Sequence, residues 1–467
     1  MSTKDMKLRD KLFSSKNDIK ENFKFVGSDD LHIFCDDYME YLDLSKTERE
    51  AVASAVELLR EKGFAEYDCN YSYVAGDKFY WINKKKSLIA VVVGKNGLDK
   101  GMLITAAHID SPRLDLKPMP LYEDSSMAFL KTHYYGGVKK YQWTAIPLAM
   151  HGVVILADGS EVTINIGEDE KDPVFCITDL LPHLSRKTQA NKTMAEVISG
   201  EQLNIVIGSA PYLSEDKIEE PVKMNVLSIL HDKYGLTEDD FISAEIEIVP
   251  AMKARYVGLD RSMIGSYGQD DRVCAYSGLR ALCDLEKPEK TCMLVLADKE
   301  EIGSVGNTGM NSDILRNFIT VLCRGFNCVP ENVFMNSKCL SADVNAAFDP
   351  NFAEVYEKKN TAHLNQGPTF SKYTGSGGKS GSNDASAEYV GQIRLALDSE
   401  KLPWQIGELG KVDEGGGGTV AQYISRLGID TIDIGVGILT MHSPYELSSC
   451  LDVYALYKVM NCFYRKL

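Results

Sequence analysis

The sequence predicts an α/β fold, a mostly parallel sheet flanked by helices, interrupted by an inserted β-rich domain. Three observations predict it. The runs Leu88 to Val93, Met102 to Ala107 and Cys292 to Ala297 are apolar over strand length, broken only by Thr105, the pattern of strands buried on both faces. Segments with helical periodicity alternate with these runs on both sides of the middle of the chain. The middle itself, residues 112–249, changes to period-2 alternation.

Taken in order, residues 46–62 (KTEREAVASAVELLREK) carry apolar groups at helical spacing and stop at Gly63, where a C-terminal cap is expected. The two apolar runs that follow are separated by the turn-like KNGLDKG, and the second ends in His108. HGVVILADGSEVTINIGE then alternates around Asp158-Gly159, a strong hairpin signal, and the alternating segment Ile242 to Val249 closes the β-rich part. Beyond it come a helix over Arg272 to Leu285, a strand over Cys292 to Ala297 and a helix over Ser312 to Val321. Two domains follow: residues 1–111 with 250–467, and the insertion 112–249. The glycine-rich patches Gly375 to Gly381 and Gly415 to Gly418 read as loops. GGKS has Tyr373 where a phosphate loop needs its first Gly, so no nucleotide site is expected.

Composition narrows the function. The 467 residues hold 51 basic and 67 acidic side chains, a net charge of −16, which argues against nucleic acid or an anionic membrane as partner. No apolar run approaches the roughly 18 to 20 residues that cross a bilayer. The N-terminus lacks the uninterrupted apolar stretch of a signal peptide. Eleven cysteines without a CxxC pair fit reduced thiols. A cytoplasmic location is the expectation.

Five segments place His or acidic residues just after an apolar run, where strand ends in an α/β sheet present side chains to a crevice. They hold His108 and Asp110, Asp270 and Asp271, Glu300 and Glu301, Asp343, and His442. Each has an ordinary reading too. His108 could bond its own turn, the two Glu could form a solvated acidic turn beside Asp298 and Lys299, and Asp270 or Asp271 could cap a helix. Asp343 could make an Asx turn, and His442 could be a satisfied core histidine. The sum favours chemistry. Two His and three carboxylates supply mixed nitrogen and oxygen ligands for two divalent ions, with Zn, Mn or Co acceptable, and Glu300 is left over as a base. That is the requirement of two-metal hydrolysis.

At this point the chain resembles the M18 family of metallo-aminopeptidases, on HIDSP at 108–112, GQDDR at 268–272, EEIGS at 300–304, SAD at 341–343, GGGGTVA at 415–421 and MHSPYE at 441–446. The resemblance spans nearly the whole chain and implies a zinc-peptidase-like catalytic domain. It implies two divalent ions per subunit, most simply Zn: one held by His108, Asp270 and Asp343, the other by Asp270, Glu301 and His442. Glu300 would be the general base, taking a proton from the water and delivering it to the leaving amine, and Asp110 would orient His108. The insertion would dimerise and the dimers build a dodecamer. His183, in LLPHLSR, resembles a histidine that binds substrate in a neighbouring subunit.

The chain also departs from the family pattern. The usual Leu-Asp-Asn around the bridging acid is Gln269-Asp270-Asp271, which makes Asp271 a rival for the bridge. The lysine that follows Gly-Pro in members preferring acidic N-termini is displaced to Lys372, so neutral N-terminal residues are candidates alongside acidic ones. The expectation is an aminopeptidase acting on peptides. The alternatives are a related two-metal carboxypeptidase or deacylase, and a non-catalytic acidic assembly protein.

Overall fold

The computed structural model describes residues 19–25 and 28–467, together with Arg9 and Leu12. The chain divides into two compact units. The first holds the chain up to Asp110 with Ala254–Met441 and Glu446–Leu467; the second holds Ser111–Lys253 with His442–Tyr445. The sequence pattern places the boundaries at 111/112 and 249/250 and keeps His442 with the rest of 250–467, whereas the contacts of His442–Tyr445 group these four residues with the second unit.

The first unit is built on a nine-stranded sheet. At its centre Thr291–Ala297, Met102–His108, Lys338–Ala342 and Asp430–Gly435 run parallel in that spatial order, with Ser87–Val92 antiparallel along the outer side of Thr291–Ala297. Successive side chains on a strand point to opposite faces, and here both faces are buried. Leu88, Ala90, Leu103, Leu294 and Leu296 enter one core cluster; Ile89, Val91, Ile104, Met293 and Val295 enter the other. This is why these strands read as apolar runs. The helix Glu48–Glu61 packs Leu59 and Val52 into the first cluster and starts at a capping box, in which the Thr47 side chain accepts from Glu50 N and the Glu50 side chain accepts from Thr47 N. It ends before Gly63, whose φ of 82° is a left-handed value that a Cβ disfavours.

A buried carboxylate on the strand Asp430–Gly435 of this sheet joins two sequence motifs. Asp433, 3% exposed, accepts hydrogen bonds through Oδ1 from Ser341 Oγ at 2.9 Å and from Thr419 Oγ1 at 2.6 Å, while Oδ2 is buried with no hydrogen-bond partner. Burial pushes its pKa up to about 6. Between about pH 4 and 6 the folded chain therefore keeps a proton that the unfolded chain releases, so stability falls as pH rises through that window. Two pK units correspond to about 3 kcal/mol. In Asp433→Asn this part of the pH slope should vanish, a result checked by urea denaturation of metal-free protein at pH 4.5, 6 and 8.

A second, five-stranded sheet in the same unit orders Arg255–Val257, Met263–Ser266, Glu446–Ser449, Gly437–Leu439 and Asn345–Ala346. It joins the approach to Asp270 to the C-terminal strand, with Ser266 paired to Glu446.

The second unit carries a seven-stranded sheet whose pairings are all antiparallel. Leu148–Ile155 and Glu161–Ile166 form the hairpin expected around Asp158-Gly159, with Gly159 at φ 85° and Ser160 N donating to Asp158 Oδ1 at 2.8 Å. The unit also contains the helix Pro221–Tyr234, which the period-2 reading passed over. Its signals were local: Pro at the first turn and Gly235 as a left-handed C-cap. Among the described residues, no helix is long and apolar enough to cross a membrane.

Candidate active site

The carboxyl ends of three neighbouring parallel strands assemble the site. His108 ends Met102–His108 and lies in register with Ala297 of Thr291–Ala297, after which the chain turns through Glu300–Ile302. On the other side Lys338–Ala342 delivers Asp343. Asp270 and Asp271 have non-helical backbone angles, so the regular helix begins at Arg272. The bond between the two aspartates is cis.

Five of these side chains, with Asp271 as a sixth, come together in the first unit. His108 Nε2 lies 3.3 Å from Asp270 Oδ1 and 3.9 Å from Asp343 Oδ1. Three groups have ligand atoms mutually within 4.8 Å: His108 with Glu300 and Asp343, His108 with Asp270 and Glu301, and Asp270 with Asp271 and Asp343. His442 and His183 are not in these groups. His442, at φ 64°, has its Nδ1 3.2 Å from Gly137 O within the second unit. His183 is exposed on the short helix Pro182–Thr188.

The backbone that carries the acid pair is held by Asp110. Its Oδ1 accepts from Glu300 N at 3.1 Å and its Oδ2 from Glu301 N at 3.2 Å. Toward His108 Nδ1 it offers the main-chain oxygen at 3.0 Å and the carboxylate at 3.4 Å. Asp110 is fully buried and thus couples the imidazole to the turn bearing Glu300 and Glu301. Lys299 Nζ contacts Asp298 Oδ2 at 2.8 Å.

The electrostatics follow from crowding. Burial disfavours charge on His108, but hydrogen bonds to Asp110 and Asp270 and the charges of Asp271 and Asp343 outweigh it and hold the imidazole pKa well above its ordinary value. Burial pushes Asp271 well up, with Asp270 adding to the shift against the opposing pull of His108. Burial likewise raises Asp343, reinforced by Asp271, Glu300 and Asp270. Carboxylates packed this closely need protons or cations between them. Asp271 Oδ2 accepts from His108 N at 3.3 Å, while its buried Oδ1 has no hydrogen-bond partner. An imidazole, several oxygen donors and an unmatched buried oxygen fit a borderline divalent ion.

A family model described as aminopeptidase I zinc metalloprotease (M18) matches residues 41–464. The chain belongs to the M18 peptidase family. It is a metallo-aminopeptidase. The protein named "Probable M18 family aminopeptidase 1" in Clostridium acetobutylicum is 48% identical over 427 residues, covering 90% of this chain and 91% of its own length. A protein of the same name in Thermotoga maritima is 44% identical over 448 residues, covering 94% and 97%. Among solved structures, the M18 aminopeptidase from Thermotoga maritima superposes with a TM-score of 0.92 at 42% identity, covering 97% of this chain and 100% of its own. Aminopeptidase I from Clostridium acetobutylicum gives 0.86 at 43% identity, covering 92% and 94%.

Two polar residues beside the site take roles that their motifs do not announce. Glu446 Oε2 accepts from Asp270 N at 3.1 Å, and Gln269 is buried against the same strand. Both lie inside the motifs MHSPYE and GQDDR, so the signal was present as residue type. The partner assignment was absent, because the two are 177 positions apart.

Proposed function

We propose that this M18 enzyme is a dinuclear metal-dependent aminopeptidase that removes the N-terminal residue from peptides. The observation that carries the reading is the set of overlapping groups in which His108 meets Asp270 and Glu301, His108 meets Glu300 and Asp343, and Asp270 meets Asp271 and Asp343. His108, Asp270 and Asp343 would hold one divalent ion. Asp270 and Glu301 would hold the other, to which the family pattern adds His442. Zinc is the first choice, since the matching family model is described as a zinc metalloprotease, and Mn or Co suit the same donors. Such ions supply electrophilic polarisation of the scissile carbonyl and acidify the attacking water.

Glu300 is the base: one carboxylate oxygen takes the proton from the attacking water and returns it to the nitrogen of the leaving amine. Asp110 keeps Glu300 and Glu301 aimed through their backbone N–H groups and orients His108. A free substrate amine is held by the acidic cluster, and His183 contributes to substrate binding. The eleven free cysteines suit a reducing, cytoplasmic setting. The structure of S. cerevisiae mApe1, 22% identical to this chain, is described as a dodecamer; a dodecamer built from dimers is the assembly we propose here.

The test is a panel of aminoacyl chromogens with free or acylated amines, assayed after chelation and readdition of Zn, Mn or Co. Release from the free-amine set alone is expected, and it should disappear on chelation. Turnover confined to N-acylated substrates would instead support a deacylase.

A further inference from the structure

Between the strand Met263–Ser266 and the regular helix at Arg272 the chain passes Gly268 at φ 73°, then Gln269 and Asp270, the latter at φ −81° and ψ 107°. A carboxylate on a segment without repeating backbone hydrogen bonds is placed accurately only if other groups tie that segment down. Two buried side chains do so. Glu446, 1% exposed, accepts the Asp270 N–H through Oε2 at 3.1 Å.

Gln269, 0% exposed, uses its full hydrogen-bonding capacity. Its Nε2 donates to Ile264 O at 3.1 Å and to Glu446 O at 2.7 Å. Its Oε1 accepts from Ser448 Oγ at 2.6 Å and from Tyr38 OH at 3.4 Å. The strand Glu446–Ser449 therefore grips both sides of the Gln269-Asp270 peptide, once through a carboxylate and twice through the amide of Gln269.

We propose that Gln269 and Glu446 are positioning residues that set Asp270 for cation binding, so that the C-terminal strand tunes the affinity of the metal centre. The proposal rests on the assignment of Asp270 as a ligand made above. It has a chemical signature. An isosteric Gln269→Glu would turn an oxygen toward the carbonyls of Ile264 and Glu446, leaving acceptor against acceptor. Glu446→Ala leaves the Asp270 N–H buried without that acceptor, whereas Glu446→Gln keeps an oxygen able to take it.

The experiment uses the full chain and compares these three variants and Ser448→Ala with the wild type. It reads Zn2+ affinity by competition with a chromophoric chelator, the visible absorption of the Co2+-loaded protein, the melting temperature of metal-free protein, and kcat and KM separately. Glu446→Ala and Gln269→Glu should lose about 10- to 100-fold in Zn2+ affinity and alter the Co2+ absorption, Glu446→Gln should return towards wild type, and Ser448→Ala should show a smaller loss. If Glu446→Ala melts lower without metal yet binds Zn2+ as the wild type does, with an unchanged Co2+ absorption, the residue is structural only and the proposal is overturned. Should that variant not fold, wild-type Zn2+ affinity in both Ser448→Ala and Gln269→Glu overturns it equally. A wild type that binds no divalent ion overturns the metal centre and this proposal together. A wild type that binds Zn2+ but cleaves no aminoacyl substrate overturns the proposed reaction alone, and the affinities still decide the positioning role.

Discussion

Glu300→Gln lowers kcat by about 10²- to 10⁴-fold, the contribution of a positioned general base. The amide is nearly isosteric, but it has no lone pair basic enough to take the proton. Because Asp110 holds this turn through the backbone N–H groups of residues 300 and 301, the substitution leaves those two hydrogen bonds in place. The structure of the turn should persist, and KM should change far less than kcat. Steady-state kinetics together with the metal content of the same preparation check this. Full activity in Glu300→Gln would remove Glu300 from its role.

Asp270→Ala has the second large effect, and it acts through the metal. Asp270 belongs to two of the three ligand groupings, one with His108 and Glu301 and one with Asp271 and Asp343. Its loss opens both proposed ion sites at once. Removing the ions forfeits several kcal/mol of transition-state stabilisation, which is on the order of a 10³-fold fall in kcat/KM. Chelation of the wild type should give a similar loss that readdition of Zn reverses; readdition should not rescue Asp270→Ala.

Stability gives an independent sign. A ligand that binds only the folded state raises stability with its concentration, so Zn should raise the melting temperature of the wild type and leave the variant where it was. Without metal the variant should not be strongly destabilised, because Asp270 is one of the charges that push up Asp271 and Asp343. A Zn-dependent upward shift of wild-type size in Asp270→Ala would exclude Asp270 as the shared ligand.

The parts of this molecule that were legible in the sequence are those whose physical cause is local. Val91 and Ile104 lie in one core cluster, and their neighbours Ala90 and Leu103 in the other, so these strands were apolar on both faces at nearly every position and stood out. Asp158-Gly159 announced its hairpin because only a few residue types accept the backbone angles of such a turn. The helix Pro221–Tyr234 was missed although its caps were local too, because only Val222 and Val226 along it are buried and the apolar stripe is thin.

The sequence by itself determined which residues could do chemistry: an imidazole and acids placed where apolar strands end, a pattern of residue types and spacing. What only the tertiary structure decided is whom they touch. The carboxylate of Asp110 could have served the ring of His108 alone, yet both of its oxygens reach the backbone of Glu300 and Glu301, 190 and 191 positions away. Glu446 and Gln269 met because Met263–Ser266 and Glu446–Ser449 became neighbouring strands in one register. The physical reason is that hydrogen bonds and charge pairs are short-ranged and directional, whereas sequence distance says nothing about which strands will lie side by side.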